Sequence, residues 1–174
     1  MSSLYVLAMA RLAIPDDARA IAEVHVRSWQ AAYRGVVADE FLDSLDVDRR
    51  VEMIEGVIRD ESKGLLVAEQ DGHVAGFSML AASYDEGWGE VLAIYASPDH
   101  WGVGVGYELM AASVEWLHEQ GYQRAMLMVL EDNPRARTFY ERQGWSLGKR
   151  IRIENIGSRD LTEVRYEKDP LDAA

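Results

Sequence analysis

Apolar residues along the chain recur with two periods, and the changes of period divide it into elements. Residues 11–14 read as a short first strand. Pro15, Asp16 and Asp17 then announce a helix start, where an aspartate can accept from the free amides of a first turn. Ile21, Val24, Ser28 and Ala32 follow at helical spacing, and the stripe stops at Gly35. A second helical region comes in two pieces, about 39–45 and 48–60, with Val51, Ile54 and Ile58 marking the buried side of the longer one.

After Gly64 the period shortens to that of a strand. Residues 65–70 and 74–82 flank Asp71 and Gly72, a two-residue hairpin signal. An acidic loop with two glycines fills 84–89, and the next strand, 90–97, is closed by Pro98. A glycine-rich turn then enters a helix that runs to about residue 120 and stops at Gly121. The pattern ends with a strand at 124–130, a helix at 133–143, and a closing hairpin of 145–153 and 161–167. It holds no repeat, low-complexity tract or linker. The expectation is a single α/β domain of the α+β type, spanning 9–174. Residues 1–8, ahead of a second methionine at Met9, stand apart as a strand extension or a product of start-site choice.

Length and charge narrow the classes. A chain of 174 residues is one domain, and it buries roughly two thirds of its unfolded surface. Thirty Asp and Glu against eighteen Lys and Arg leave a net charge of −12. That balance argues against nucleic-acid binding, which needs a basic footprint, and against docking on an anionic membrane. It mildly favours a cationic ligand through steering. The chain has no cysteine, which removes disulfides, thiolate metal ligands and a cysteine nucleophile together. No metal site is expected. No apolar run is long enough to span a bilayer. Ala8-Met9-Ala10 mimics a signal-peptidase site without the basic and apolar segments that normally precede one, so a cytoplasmic location is expected.

Candidate chemistry begins at Gly102, Gly104 and Gly106, which alternate between a strand and a helix. Without Cβ atoms they admit a ligand close to the backbone, and a helix start offers unpaired N–H groups. The combination suits an anion, most naturally a phosphate. A tight turn that merely uses glycine is the plain alternative. A Walker loop would require Lys and Ser or Thr after its last glycine, but Tyr107 and Glu108 follow here. A dinucleotide fingerprint reads GxGxxG and comes early in a doubly wound domain, whereas this one reads GxGxG and comes late.

The surroundings decide among these. The run EVLAIYASP at 90–98, followed by DHWGVGVG at 99–106, resembles the acetyl-CoA-binding motif of the GNAT N-acetyltransferase superfamily. A second stretch, NPRA at 133–136 with FYE at 139–141 and GW at 144–145, is similar to that family's N-x-x-A-x-x-x-Y-x-x-x-G-aromatic signature. The order of elements agrees from Met9 onward. The resemblance implies a central mixed, mostly antiparallel sheet of about six or seven strands flanked by about four helices, with a splayed strand pair at the cofactor site. One position departs: Trp101 stands where the family often has Gln or Arg at the head of the turn.

The resemblance also assigns roles. Backbone groups of Ile94, Tyr95 and Ala96 would pair with the pantetheine arm of acetyl-CoA as an added strand does. Amides of Val103, Gly104, Val105, Gly106 and Tyr107, with Gly102 opening the turn, would hold the pyrophosphate. Asn133 is placed to cap a helix that starts with Pro134, and the family reading adds a contact to the cofactor. Asn133, Arg137 and Tyr140 share one helical face, which can meet a cofactor lying between this helix and the glycine-rich turn, so Arg137 joins the expected cofactor-binding residues. Tyr140 is the candidate general acid for the departing thiolate, its plain alternative being a core aromatic beside Phe139. Glu90 is the candidate base, acting through water, with Tyr84, Asp85 and Glu86 as alternatives or as binders of a positive charge. Trp29, Tyr33, Tyr84 and Trp88 are the expected acceptor-side residues, although aromatics four apart on a helix are commonly packing. His25 reads as structural. The implied activity is acetyl transfer to an amine, on a small molecule or a peptide, by direct attack. The alternative is a non-catalytic module that binds or senses acyl-CoA. A homodimer through the closing strands is compatible with the pattern.

Overall fold

In the computed structural model, which describes residues 10–172, the two periods resolve into seven strands and five helices. In chain order these are β1 (Ala10–Leu12), α1 (Ala18–Ala32), α2 (Asp39–Asp43), α3 (Val47–Ile58), β2 (Gly64–Gln70), β3 (His73–Ala82) and β4 (Gly89–Ala96). There follow α4 (Val105–Glu119), β5 (Ala125–Leu130), α5 (Pro134–Arg142), β6 (Ser146–Ile156) and β7 (Arg159–Lys168). The stretch 1–8 lies outside the described residues.

Two boundaries differ from expectation for identifiable reasons. The residues after Ile14 form a single 3-10 turn before α1, because the Asp17 carboxylate accepts from the Ile14 amide at 2.8 Å and from Arg11 at 2.7 and 3.0 Å. The closing hairpin is longer than its apolar pattern. Gly157 and Ser158 both take positive φ, the requirement of a two-residue hairpin turn, so pairing runs to Ile156 and Arg159. Asn155 and Asp160 reinforce it with a cross-strand bond of 2.7 Å.

The strands lie in the order β1-β2-β3-β4-β5-β7-β6, and every neighbouring pair is antiparallel except β4 and β5. That parallel ladder contains Gly89 opposite Ala125 and Glu90 opposite Met126, and then the strands part. The register of β3 on β4 slips between Met79 and Leu80, leaving Leu92 as an extra residue on β4. Such a bulge bends its strand and increases the local twist, which directs β4 away from β5.

Helices cover both sheet faces. Leu109, Leu117, Leu127 and Tyr166 are fully buried or nearly so in the layer beneath α4 and α5. Ile21, Ile54, Val67 and Phe77 form the layer beneath α1 and α3. Each such aliphatic side chain contributes about 1.5–3 kcal/mol by leaving water. A smaller cluster of Tyr33, Val37, Leu42 and Leu130 joins the end of α1 to α2 and β5. At the hairpin tip a Cβ on Gly157 would stand 2.6 Å from Cβ of Phe41, so only glycine lets the tip seat on α2. The far edge of the sheet is β6, nearly all of it exposed, including Leu147, Ile151 and Ile153. Among the described residues, no helix is long and apolar enough to cross a membrane.

Candidate active site

The gap between β4 and β5 is where backbone groups are left over. Ser97 donates to the Ala75 carbonyl at 2.8 Å, and Phe77 stands opposite Tyr95. Antiparallel alternation therefore turns the N–H and C=O of Tyr95 toward β3, and those of Ile94 and Ala96 toward the gap. The Ala96 carbonyl is already engaged: Ser28 Oγ donates to it at 2.9 Å and Trp101 Nε1 at 2.9 Å. Both groups of Ile94 and the N–H of Ala96 remain for a ligand. Tyr95 contributes its side chain rather than its backbone.

The glycine turn continues the same edge. Gly102 and Gly104 have φ of +80° and +100°, a region that side-chain-bearing residues avoid, and a Cβ at either would meet nothing within 4 Å. Gly104 caps α4, and Val105 is buried and anchors the first turn. Val103 and Tyr107 are exposed on either side of it. A Cβ on Gly106 would stand 3.6 Å from the ring of Phe139 in α5. A concave run of backbone with open space above it fits a pyrophosphate, and the free edge of β4 fits the amide-bearing arm attached to one.

From α5, Asn133 Oδ1 accepts from the Ala136 amide at 3.1 Å, as a helix cap does. Arg137 donates to the Tyr166 hydroxyl and to the Glu131 carbonyl, each at 3.2 Å, so it braces β7 rather than standing free. Tyr140 enters the interior with 7 % of its surface exposed, its ring 5.5 Å from that of Phe139 and 6.0 Å from that of Tyr166. Burial raises its phenol pKa, and the Tyr33 phenol adds to the rise.

Tyr33 reaches the same place from the end of α1. It is buried, and the Tyr95 hydroxyl and the Asn133 side chain lie against its phenol. Burial raises its pKa as well. Trp29 packs edge-on to Tyr33 at 5.0 Å. Tyr33, Tyr95, Asn133 and Tyr140 thus converge from three elements, α1, β4 and α5, where β4 and β5 have parted. His25 lies beneath them, stacked on Tyr95 at 5.3 Å. Burial, with a smaller effect from the charge of Arg50, pushes its pKa down to about 3, so it is neutral.

Glu90 occupies the other end of β4, roughly 15 Å along the strand from Tyr95. It is 8 % exposed. Burial raises its pKa against the opposing charges of Arg152 and Arg165, while a bond from Ser83 also opposes the rise and Asp85 adds to it. Asp85 accepts from Arg150 at 2.7 and 2.9 Å and from Arg165, and the Arg165 bond comes first among the causes that hold its carboxyl below the usual range. It is therefore a neutralised anchor of the loop. Glu86 is exposed. Trp88 lies between two guanidiniums, Arg165 at 4.6 Å and Arg124 at 4.8 Å. Tyr84 is exposed with Arg150 at 5.8 Å. Trp29 and Tyr33 thus stand at the open end of the gap, and Tyr84 and Trp88 at the Glu90 end. Among the described residues, no three of His, Cys, Asp and Glu are grouped to hold a metal.

Sequence reasoning passed over several residues of this region. Arg165 is 2 % exposed and organises the Glu90 end, yet it reads as one more charge in an alternating strand. Leu92 is 45 % exposed at the bulge, and a continuous apolar run does not reveal which of its members is the extra one. Ser28 looked like part of a helical stripe, although its hydroxyl holds the Ala96 carbonyl.

Comparison with known proteins agrees with this geometry. The profile of the acetyltransferase (GNAT) family matches residues 18–145. An uncharacterized N-acetyltransferase of Bacillus subtilis (strain 168), YuaI, is 33% identical over 124 residues, covering 68% of this chain and 69% of that protein. The mycothiol acetyltransferase of Streptomyces griseus is 35% identical over 86 residues, 49% of this chain, but the match spans only 28% of that longer protein. The crystal structure of the PaiA N-acetyltransferase from Thermoplasma acidophilum, in complex with coenzyme A, superposes with a TM-score of 0.73 at 21% identity, covering 97% of this chain and 99% of that one. At that identity the likeness speaks for the fold, and the profile and the Bacillus relative speak for descent. Seven strands in a mixed sheet, the parted β4–β5 pair and the two sequence signatures on its rims are thereby accounted for together: the chain belongs to the GNAT acetyltransferase family.

Proposed function

We propose that this chain moves the acetyl group of acetyl-CoA to an amine by direct attack. The observation that carries the reading is the parting of β4 from β5 after Glu90, which leaves the Ile94 and Ala96 backbone in line with an open glycine turn. The coenzyme A bound by the Thermoplasma protein supports the same ligand here. Acetyl-CoA supplies the acetyl group activated as a thioester. Ile94 and the Ala96 amide hold the arm, and the amides of residues 103–107 hold the pyrophosphate. The Asn133 side chain adds a contact at the start of α5.

An amine arrives as ammonium, with an ordinary pKa near about 10, and must lose a proton before it attacks. Glu90 takes that proton through water. Its raised pKa brings it nearer the working range of a base at neutral pH. Tyr140 serves the opposite end of the reaction, donating from its phenol to the sulfur. Because burial disfavours the phenolate, Tyr140 is protonated when the amine attacks, gives that proton to the sulfur as the C–S bond breaks, and regains one from solvent afterwards. Its hydrogen bond strengthens as charge grows on sulfur, and that differential is what accelerates the step. Trp29 and Tyr33 line the acceptor's approach at the open end, with Tyr84 and Trp88 at the Glu90 end. The net charge of −12 favours a cationic acceptor.

The test is release of CoA thiol from acetyl-CoA, followed with a thiol reagent across a panel of small amines, amino acids, aminoglycosides and peptides. A chain without cysteine contributes no thiol of its own. Amine-dependent release is expected, and replacement of Tyr140 by Phe should lower turnover about 100-fold at nearly unchanged acetyl-CoA affinity. Binding without release by any amine or peptide would overturn transfer and leave a sensing module.

A further inference from the structure

The turn that faces the cofactor's phosphates carries no cationic side chain of its own: its head is Trp101, the position that departs from the family motif it resembles. The structure returns a cation to that place from another element. The guanidinium carbon of Arg135, in the first turn of α5, lies 3.6 Å from the centroid of the Trp101 ring. That is a close stack of a planar cation on an aromatic face. The ring is itself held in place, since its Nε1 donates to the Ala96 carbonyl at 2.9 Å.

Arg135 has no countercharge. Most arginines of this acidic chain are ion-paired, among them Arg11 with Asp17, Arg27 with Asp99, Arg34 with Asp43, Arg152 with Glu163 and Arg165 with Asp85. Arg135 joins no salt bridge among the described residues, and partial burial against the ring lowers its pKa with no acidic group opposing the shift. The residue is still exposed to solvent. An unpaired guanidinium stacked on Trp101, the residue before Gly102, is a binding element for a doubly charged oxyanion group, which a guanidinium meets with two parallel N–H bonds.

We infer that Arg135 binds a phosphate of the cofactor and that Trp101 is its positioning residue, so that a ring and an arginine from two elements together replace the side chain missing at the head of the turn. This rests on the acetyl-CoA reading above. The pyrophosphate and the 3′-phosphate present the same chemistry to a guanidinium, and the experiment separates them.

Calorimetry of acetyl-CoA and of its 3′-dephospho analogue would be run on the whole protein and on the variants Arg135→Gln, Trp101→Leu and Trp101→Phe, each checked for folding by circular dichroism. Arg135→Gln should weaken acetyl-CoA by about 10- to 100-fold, the worth of a charge-assisted hydrogen bond, and should flatten the salt dependence of binding. Trp101→Leu should reproduce much of that loss, Trp101→Phe should restore it by keeping the face, and the Trp101→Leu/Arg135→Gln double variant should be no worse than Arg135→Gln. A loss that persists with the dephospho analogue assigns Arg135 to the pyrophosphate, and one that disappears assigns it to the 3′-phosphate. Affinity within twofold of the unaltered protein for both ligands in Arg135→Gln would overturn the inference while leaving the cofactor reading intact. Failure of the unaltered protein to bind acetyl-CoA would overturn both.

Discussion

The two ends of β4 are built on opposite principles. At Glu90 the strand is paired on both sides, and Arg165, Asp85, Arg150 and Glu167 link the loop before it to β6 and β7. Gly89 lets Leu117 and Tyr122 close in, since a Cβ there would stand 2.8 and 3.2 Å from them. At Ala96 the strand has lost its second neighbour, and the turn that follows has glycines with empty space above them. One end is over-determined by side chains, the other under-determined until a ligand arrives. The lesson is that rigidity at the first end sets the direction in which the second end opens.

Breaking the closed end should have the largest effect. Arg165→Leu leaves Asp85 and Glu167 facing each other without the guanidinium between them. Asp85 keeps its bonds from Arg150, but the buried Arg165 no longer ties the loop to β7, so a lowered midpoint in urea unfolding is expected. The second-largest effect separates chemistry from stability at the same place. Glu90→Gln should reduce turnover about 100-fold and shift the acidic limb of the pH–rate profile. A carboxyl with a raised folded pKa favours folding when neutral and loses that favour as pH rises through its folded value. The Gln variant should therefore melt higher than the unaltered protein at pH 8 and alike at pH 4.

At the open end, Gly104→Ala forces a side chain into φ near +100° and should cost about 1–2 kcal/mol together with cofactor affinity, measurable by the same unfolding and by calorimetry. The smallest effect lies under the open end. His25 is neutral when folded, with a pKa of about 3, so its contribution is present above about 6.5 and falls away as pH drops from there toward 3. His25→Phe keeps the stack on Tyr95 and should remove up to about 1.4 kcal/mol per pH unit from that acid slope. An unchanged slope would mean that the buried imidazole finds a proton partner on opening.

The contrast also explains what was legible in the sequence. Period and glycine placement determine strands, helices and turn, and the two signatures name the rims of the gap, so the fold and the place of the glycine turn in it could be read directly. What escaped depends on contacts between distant elements. Arg135 stands inside the second signature, and nothing in the order of residues says that it lies on Trp101. The bond from Arg137 to Tyr166, 29 residues later, is equally invisible in the helical spacing that puts Arg137 on one face with Asn133 and Tyr140. Asp85 was a candidate charge until Arg150 and Arg165 proved to occupy it. Pairings of this kind are set by the packing of the sheet, which no local pattern encodes.

The uncovered edge of β6 has a consequence for handling the protein in solution. Its main-chain donors and acceptors, with Leu147, Ile151 and Ile153 alongside, are a template on which another chain can pair. At neutral pH a net charge of −12 keeps neighbouring molecules apart. Near the isoelectric point of about 4.7 that repulsion vanishes while the edge is unaltered. Buffers well above pH 5 and modest salt thus preserve a dispersed sample, and acid precipitation would begin along this strand.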